Sequence, residues 1–252
     1  MTGHRFRARA LACSAALITA LAAAGGAVGA TTGEDIEQLT ARQISEKAKK
    51  ALLSAKSLHI TTKGNLDDPE AATELDLTLD REGNCAGSVS TGGKGSVEII
   101  KRGETVWMKP DEAFWKSQVP GRGEAAAKLF KDRYLRGTTD DSMLRGMAEV
   151  CDLDGILKSV TGSSDIELAL TKGRKTKVDG VEAIPLTGKR AERTMTLYVA
   201  TEGKPYPVRL NATVAGEAEA SIAFSDYDEP VPSTTPPADK SVDLSTLTGQ
   251  SD

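Results

Sequence analysis

Cys85 and Cys151 are the residues of this chain whose chemistry is most tightly constrained. The third cysteine, Cys13, lies in an N-terminal stretch with the pattern of a secretion signal. Arg5, Arg7 and Arg9 give a positive start, Ala10 to Ala24 an uncharged apolar core, and Val28 and Ala30 small residues at positions −3 and −1 of a cleavage site. Export places the two remaining thiols in an oxidising compartment, where a lone pair of cysteines forms a structural bridge. Such a bridge closes a loop of about 65 residues and contributes about 4 kcal/mol in the chain-entropy model. The spacing is too wide for a redox dithiol motif.

Other reactive groups are sparse. His59 is the one histidine outside the signal, so a Ser-His-Asp triad would have to use it, yet no Gly-x-Ser-x-Gly elbow is present. One histidine and two bridged cysteines are a poor ligand set for a metal. The paired acids Asp67-Asp68 and Asp140-Asp141 suit turns and helix caps better than acid–base work. A phosphate loop is also missing from the sequence. The expectation is a non-enzyme with no cofactor and no metal.

Removing the three signal arginines takes the formal charge of the 252-residue chain from −4 to −7. Net acidity argues against nucleic acid and against an anionic membrane surface as partners. Lys47, Lys49 and Lys50 read as the solvated face of a helix. No second apolar stretch has spanning length, so the mature chain is expected to be soluble and monomeric, secreted or on the outer face of the cell envelope. Left uncleaved, Leu11 to Val28 would instead be an N-terminal anchor. Cys13 precedes most of the apolar run and Ala10-Leu11-Ala12-Cys13 is a poor lipidation box, so it is read as a discarded signal residue.

The expected organisation is a signal over 1–30, a polar leader over 31–39, one domain over 40–229 and an extended tail over 230–252. Thr40 and Gln43 make a capping box, flanked by Leu39 and Ile44 as a hydrophobic staple, and start a helix over 41–56. Leu58, Ile60 and Thr62, then Leu75, Leu77 and Leu79, alternate with polar neighbours at the strand period. Glycine-rich turns separate further strands near 86–91, 96–101 and 105–109. Residues 123–161 have apolar spacing for two or three helices. Strands are expected again around Ile166 to Leu170, Val178 to Val181, Met195 to Val199, Val208 to Val214 and Ala218 to Phe224. Strands, then helices, then strands predict an α+β fold with a curved antiparallel sheet that needs a helical cover. A Cys85–Cys151 bridge would tie sheet to cover.

The order of these pieces resembles the LolA-like superfamily of envelope lipid carriers, particularly the LppX/LprG type of secreted lipoproteins. The matching residues are Ala55-Lys56-Ser57-Leu58-His59-Ile60, Gly95-Ser96-Val97-Glu98-Ile99-Ile100, Val106-Trp107-Met108-Lys109-Pro110, Leu197-Tyr198-Val199-Ala200, Gly203-Lys204-Pro205-Tyr206-Pro207-Val208-Arg209 and Phe224-Ser225-Asp226-Tyr227-Asp228. The resemblance implies a half-open β-barrel with helices against its concave face, and between them a space for acyl chains or other apolar ligands. Relatives are commonly lipid-anchored; this chain lacks a convincing lipobox.

On that basis Leu75, Leu77, Leu79, Val97, Ile99 and Val106 are candidate cavity residues, the alternative being an ordinary filled core. Met108, Phe114 and Trp115, with Trp107, are candidates for a cavity mouth or a docking rim, the alternative being packing under the sheet edge. Two functions follow: a non-catalytic carrier of a lipid or other apolar small molecule, or an envelope sensor or assembly module that binds another protein and has a filled core. Asn211-Ala212-Thr213 matches a glycosylation acceptor but falls inside an expected strand.

Overall fold

The computed structural model describes residues 35–64, 73–162, 169–190, 193–214 and 220–248. After a 3₁₀ turn, Ile36–Gln38, the expected helix forms as α1, Ala41–Ser54. Its capping box is present: Thr40 Oγ1 accepts from the Gln43 N–H at 3.3 Å, and Gln43 Oε1 accepts from the Thr40 N–H at 3.0 Å. Each bond satisfies a backbone donor that the first helical turn would leave unpaired. Leu39 and Ile44 are buried beside it. The helix stops at Ala55, whose extended backbone turns the chain into β1, Ser57–Lys63.

Four more strands follow as a meander: β2 (Thr73–Asp80), β3 (Cys85–Thr91), β4 (Gly95–Arg102) and β5 (Thr105–Pro110). Gly87 is indispensable to it. With φ at +151°, a Cβ there would lie 1.9 Å from the Asp76 carbonyl oxygen, so only glycine lets β3 sit this close to β2. Two seven-residue helices come next, α2 (Glu112–Gln118) and α3 (Gly123–Leu129).

A difference from the sequence reading appears in the middle of the chain. Residues 123–161 are not purely helical: strand β6, Tyr134–Thr138, separates α3 from α4 (Ser142–Glu149) and α5 (Leu153–Gly162). Leu135 alone among its residues is buried, so its alternation is too short to read. The expected cap at Asp141 precedes α4, but its carboxylate accepts from the Thr138 N–H at 2.6 Å rather than from the helix.

The last third supplies β7 (Thr171–Lys172), β8 (Thr176–Val178), β9 (Val181–Arg190), β10 (Arg193–Ala200), β11 (Pro207–Val214) and β12 (Ala220–Ser225). Of the strand expected over Ile166 to Leu170, residues 166–168 lie outside the described residues, and Leu170 precedes β7 without joining it. The tail from Pro230 runs extended at first. It then ends in β13 (Ser241–Asp243) and α6 (Leu244–Thr248), which the sequence reading did not foresee.

All strands belong to one sheet, in the order β13-β6-β5-β4-β3-β2-β1-β12-β11-β10-β9-β7, with β8 also on β9. Every pairing is antiparallel except β13 on β6. The architecture is the expected α+β: a curved half-barrel sheet whose concave face is covered by helices. Two covers divide that face. Leu144 and Ala148 of α4 and Leu153 and Leu157 of α5 pack with the inward side chains of β1–β5, whereas Ile44 and Ala48 of α1 pack on Ile184, Leu186 and Val199 of β9 and β10. No helix among the described residues is long and apolar enough to cross a membrane.

Three ties hold the covers in place. The Cys85–Cys151 disulfide joins the start of β3 to the α4–α5 junction, both residues being fully buried. Arg81, after β2, donates to the Ala55 and Leu53 carbonyls at the end of α1 and pairs with Asp154 of α5. At that same end of the sheet, Asp228 accepts from the Lys56 N–H (2.8 Å) and the Tyr206 hydroxyl (2.8 Å), and Lys204 reaches it at 3.1 Å. Those bonds, the Lys56 N–H foremost, hold the Asp228 carboxyl down at about 2. Its folded pKa lies below the unfolded one, so the associated stability is present above about pH 4 and is lost as pH falls toward 2. Asp228→Asn is accordingly expected to flatten the pH dependence of urea unfolding between those limits. An unchanged acid limb in the variant would show that other carboxylates carry it.

Candidate functional site

The expected cavity residues are brought together on the concave face. Leu77, Leu79, Val97, Ile99, Val106, Met108 and Trp115 share one core cluster at no more than 7% exposure, and Leu75 and Phe114 are half-buried against it. The register puts Leu77, Ile99 and Met108 on neighbouring inward positions, with Gly87 between the first two. Trp115 anchors α2 at the end of the sheet where β5 finishes. Its ring stacks on Phe130 at 5.3 Å and meets Phe114 edge-on at 6.1 Å. Trp107 points to the opposite face and is 9% exposed, so neither tryptophan stands out as a protruding rim.

Side-chain size changes along the concave face. One inward row runs through Gly188, Met195, Ala212 and Ala220, three of the four very small. The adjacent row runs through Leu186, Leu197, Leu210 and Ile222. Around them Leu75, Met195, Leu197 and Leu210 of the sheet, and Ile156 and Val160 of α5, are only half-buried although apolar. These residues lie toward the end where β1 finishes and β2 begins. Sequence alternation alone marks them as inward-facing; it does not reveal that they are incompletely covered.

The convex face carries a different constellation, which the sequence reading missed. Glu98 of β4 pairs with Lys109 of β5 and accepts from the Tyr134 hydroxyl, while the Lys109 ammonium stands 4.8 Å from the Tyr134 ring centre. Burial pushes the Glu98 carboxyl up, but the bonds from Lys109 and Tyr134 outweigh it and leave the group below the ordinary glutamate range. The bond to Glu98 holds Lys109 above its usual value, and burial, aided by Glu98, raises Tyr134. These residues line a groove of about 1330 Å³ between α2–α3 on one side and the tail segment Pro232–Pro237 on the other. Glu98 and Lys109 are solvent-side positions of two separate strands, and only the register makes them neighbours.

His59 lies on the convex face, as its alternation with Leu58 and Ile60 predicts. Its Nε2 is 2.7 Å from Asp76 Oδ1, and its Nδ1 is 3.2 Å from Ser225 Oγ and 3.5 Å from Asp226 Oδ2. Serine, histidine and carboxylate thus meet, but Ser225 also gives its proton to Asp226 at 3.0 Å and ends a strand instead of forming a strand–turn–helix elbow. The cluster ties β2, β1 and the end of β12 together. Among the described residues no three His, Cys, Asp or Glu side chains converge as a metal site. Asn211 sits in mid-strand β11 with its side-chain oxygen buried.

A half-barrel sheet with α4, α5 and α1 against its concave face is a fold shared with a solved structure. LprF from Mycobacterium bovis has the same fold at 17% identity, with a TM-score of 0.50 over 78% of this chain and 96% of that one. The lipoprotein LppX from Mycobacterium tuberculosis matches at 15% identity and a TM-score of 0.48, over 76% and 97% respectively. Neither a protein-family model nor a curated protein matches the sequence.

Proposed function

We propose that this protein is an exported, non-catalytic carrier that holds a lipid or other apolar small molecule between the sheet and its helical cover. The observation that carries the reading is the half-covered apolar interior at one end of the concave face, around Met195, Leu197, Leu210, Ile156 and Val160. The more deeply buried Leu77, Ile99, Val106 and Met108 would form the floor of the site, and Phe114 and Trp115 its closed side. Binding would be driven by burial: an acyl chain of ~16 carbons gains about 0.8 kcal/mol for each CH₂ withdrawn from water, less the cost of ordering. Space for it comes from the small row Gly188, Ala212 and Ala220. Helix α5, whose Ile156 and Val160 pack against the apolar cluster, is tied at its N-terminal turn by Arg81 and the disulfide.

A second reading is favoured by one specific observation. Leu58, Ile60, Leu77, Leu79, Ile99 and Val106 are 0–1% exposed, which is the packing of a filled core. A module with such a core would act by binding another envelope protein on its surface.

Native mass spectrometry of residues 31–252 from the protein's own host separates the two. The carrier predicts excess mass that becomes free lipid on denaturation, and its loss in Ala212→Phe, which fills the small row. Bare polypeptide mass from both proteins would sink the carrier reading and favour the second.

A further inference from the structure

The convex-face groove is chemically unlike the concave face. Its floor follows one register line across the sheet: Asp76 opposite Ser88, Ser88 opposite Glu98, Glu98 opposite Lys109, and Lys109 against Tyr134. Five strands at their usual spacing make this a polar ladder about 19 Å long. The volume of about 1330 Å³ exceeds the 300–1,000 Å³ usual for compact ligands, so an elongated occupant fits best.

Four hydroxyls lining the groove, those of Ser88, Ser96, Thr234 and Thr235, have no hydrogen-bond partner among the described residues. Beside them stand acceptor-only carboxylates and donor-only ammonium groups. A ligand matching such a mixture must both donate and accept at many points, which is the property of a hydroxyl-rich chain. An extended peptide is a poorer match. The tail segment that walls the groove contributes Pro232, Pro236 and Pro237, which have no N–H with which to pair a strand. Anionic chains are disfavoured too, because six carboxylates and only three ammonium groups line the groove.

We infer that the strapped convex groove is a second binding site, for an extended neutral oligosaccharide, independent of the proposed apolar site on the other face. The strap is fixed at both ends. Ser57 Oγ donates to the Glu229 carbonyl at one end, and β13 pairs with β6 at the other. Between them runs the wall segment 231–236, most of it exposed.

The test is titration of the mature protein with maltohexaose, cellohexaose and chitohexaose at millimolar concentration, followed by saturation-transfer NMR. At least one should bind saturably. Ser88→Trp, which fills the trough, should weaken it at least about tenfold, and Glu98→Gln severalfold, as expected for lost hydrogen bonds to a neutral ligand. Both substitutions lie on the solvent side of strands, and a cooperative thermal transition with the parent's circular dichroism spectrum verifies the fold, since Glu98→Gln also removes the pair with Lys109. Ala212→Phe, the variant that tests the carrier, should leave saccharide binding intact, so the two ideas fail separately. No binding by any of the three saccharides, binding indifferent to both groove variants, or binding of an extended synthetic peptide but of no saccharide would each overturn the inference.

Discussion

Replacing Cys85 and Cys151 together by alanine is expected to lower the unfolding free energy by about 4 kcal/mol. Because the bridge spans 66 positions of sequence, the effect arises mainly in the unfolded chain, which regains the freedom of a long loop. For a domain of this size the melting temperature should fall by roughly 8–16 °C. Both positions are buried at 0–1%, so lost sulfur packing adds to the entropic effect. Guanidinium unfolding of the double variant against the parent measures it. A difference under about 1 kcal/mol would mean that packing alone holds α4 and α5 to the sheet, and that the tie described above is incidental.

Trp115→Ala should cost about 3–5 kcal/mol, the range for truncating a buried aromatic. Helices α2 and α3 have seven residues each, far too few to persist alone in water. Their persistence depends on Trp115, which is 5% exposed and carries Phe130 on its face. The loss should therefore be uneven. Hydrogen exchange across 112–130 is expected to accelerate far more than across β1–β4. Uniform acceleration over the whole chain would show that Trp115 supports the global core and not this corner.

Much of the scaffold could be read from residue order, for identifiable reasons. The Thr40–Gln43 box and the 3.6-residue stripe Ile44, Ala48, Ala51, Leu52 are local signals, and the structure forms α1 where they fall. Leu77 and Leu79 alternate with the polar neighbours Asp76, Thr78 and Asp80, and both are fully buried on the concave face. What escaped was set by distant partners. Strand β6 has a single buried residue and exists because β5 and β13 flank it. The convex groove escaped for the same reason: Asp76, Ser88, Glu98 and Lys109 are separate solvent-side residues until three registers align them. The nine candidate site residues did come together, but how much room remains above them depends on how α5 lies over the sheet, which no spacing encodes.

The strand order also constrains how the chain reaches this structure. Strands β1–β6 form consecutively, yet the block they make has two raw margins: β1 waits for β12, with His59 and Ser225 separated by 166 positions, and β6 waits for β13, with Arg136 and Asp243 separated by 107. During synthesis both margins stay open until the last quarter of the chain has emerged, and closing them requires long-range encounters that make folding slow. A chain interrupted between β6 and β12 would present two unpaired strand edges and invite aggregation. The fold is thus sealed from its C-terminal end, and a nascent chain of this kind benefits from being kept unfolded until β13 is available.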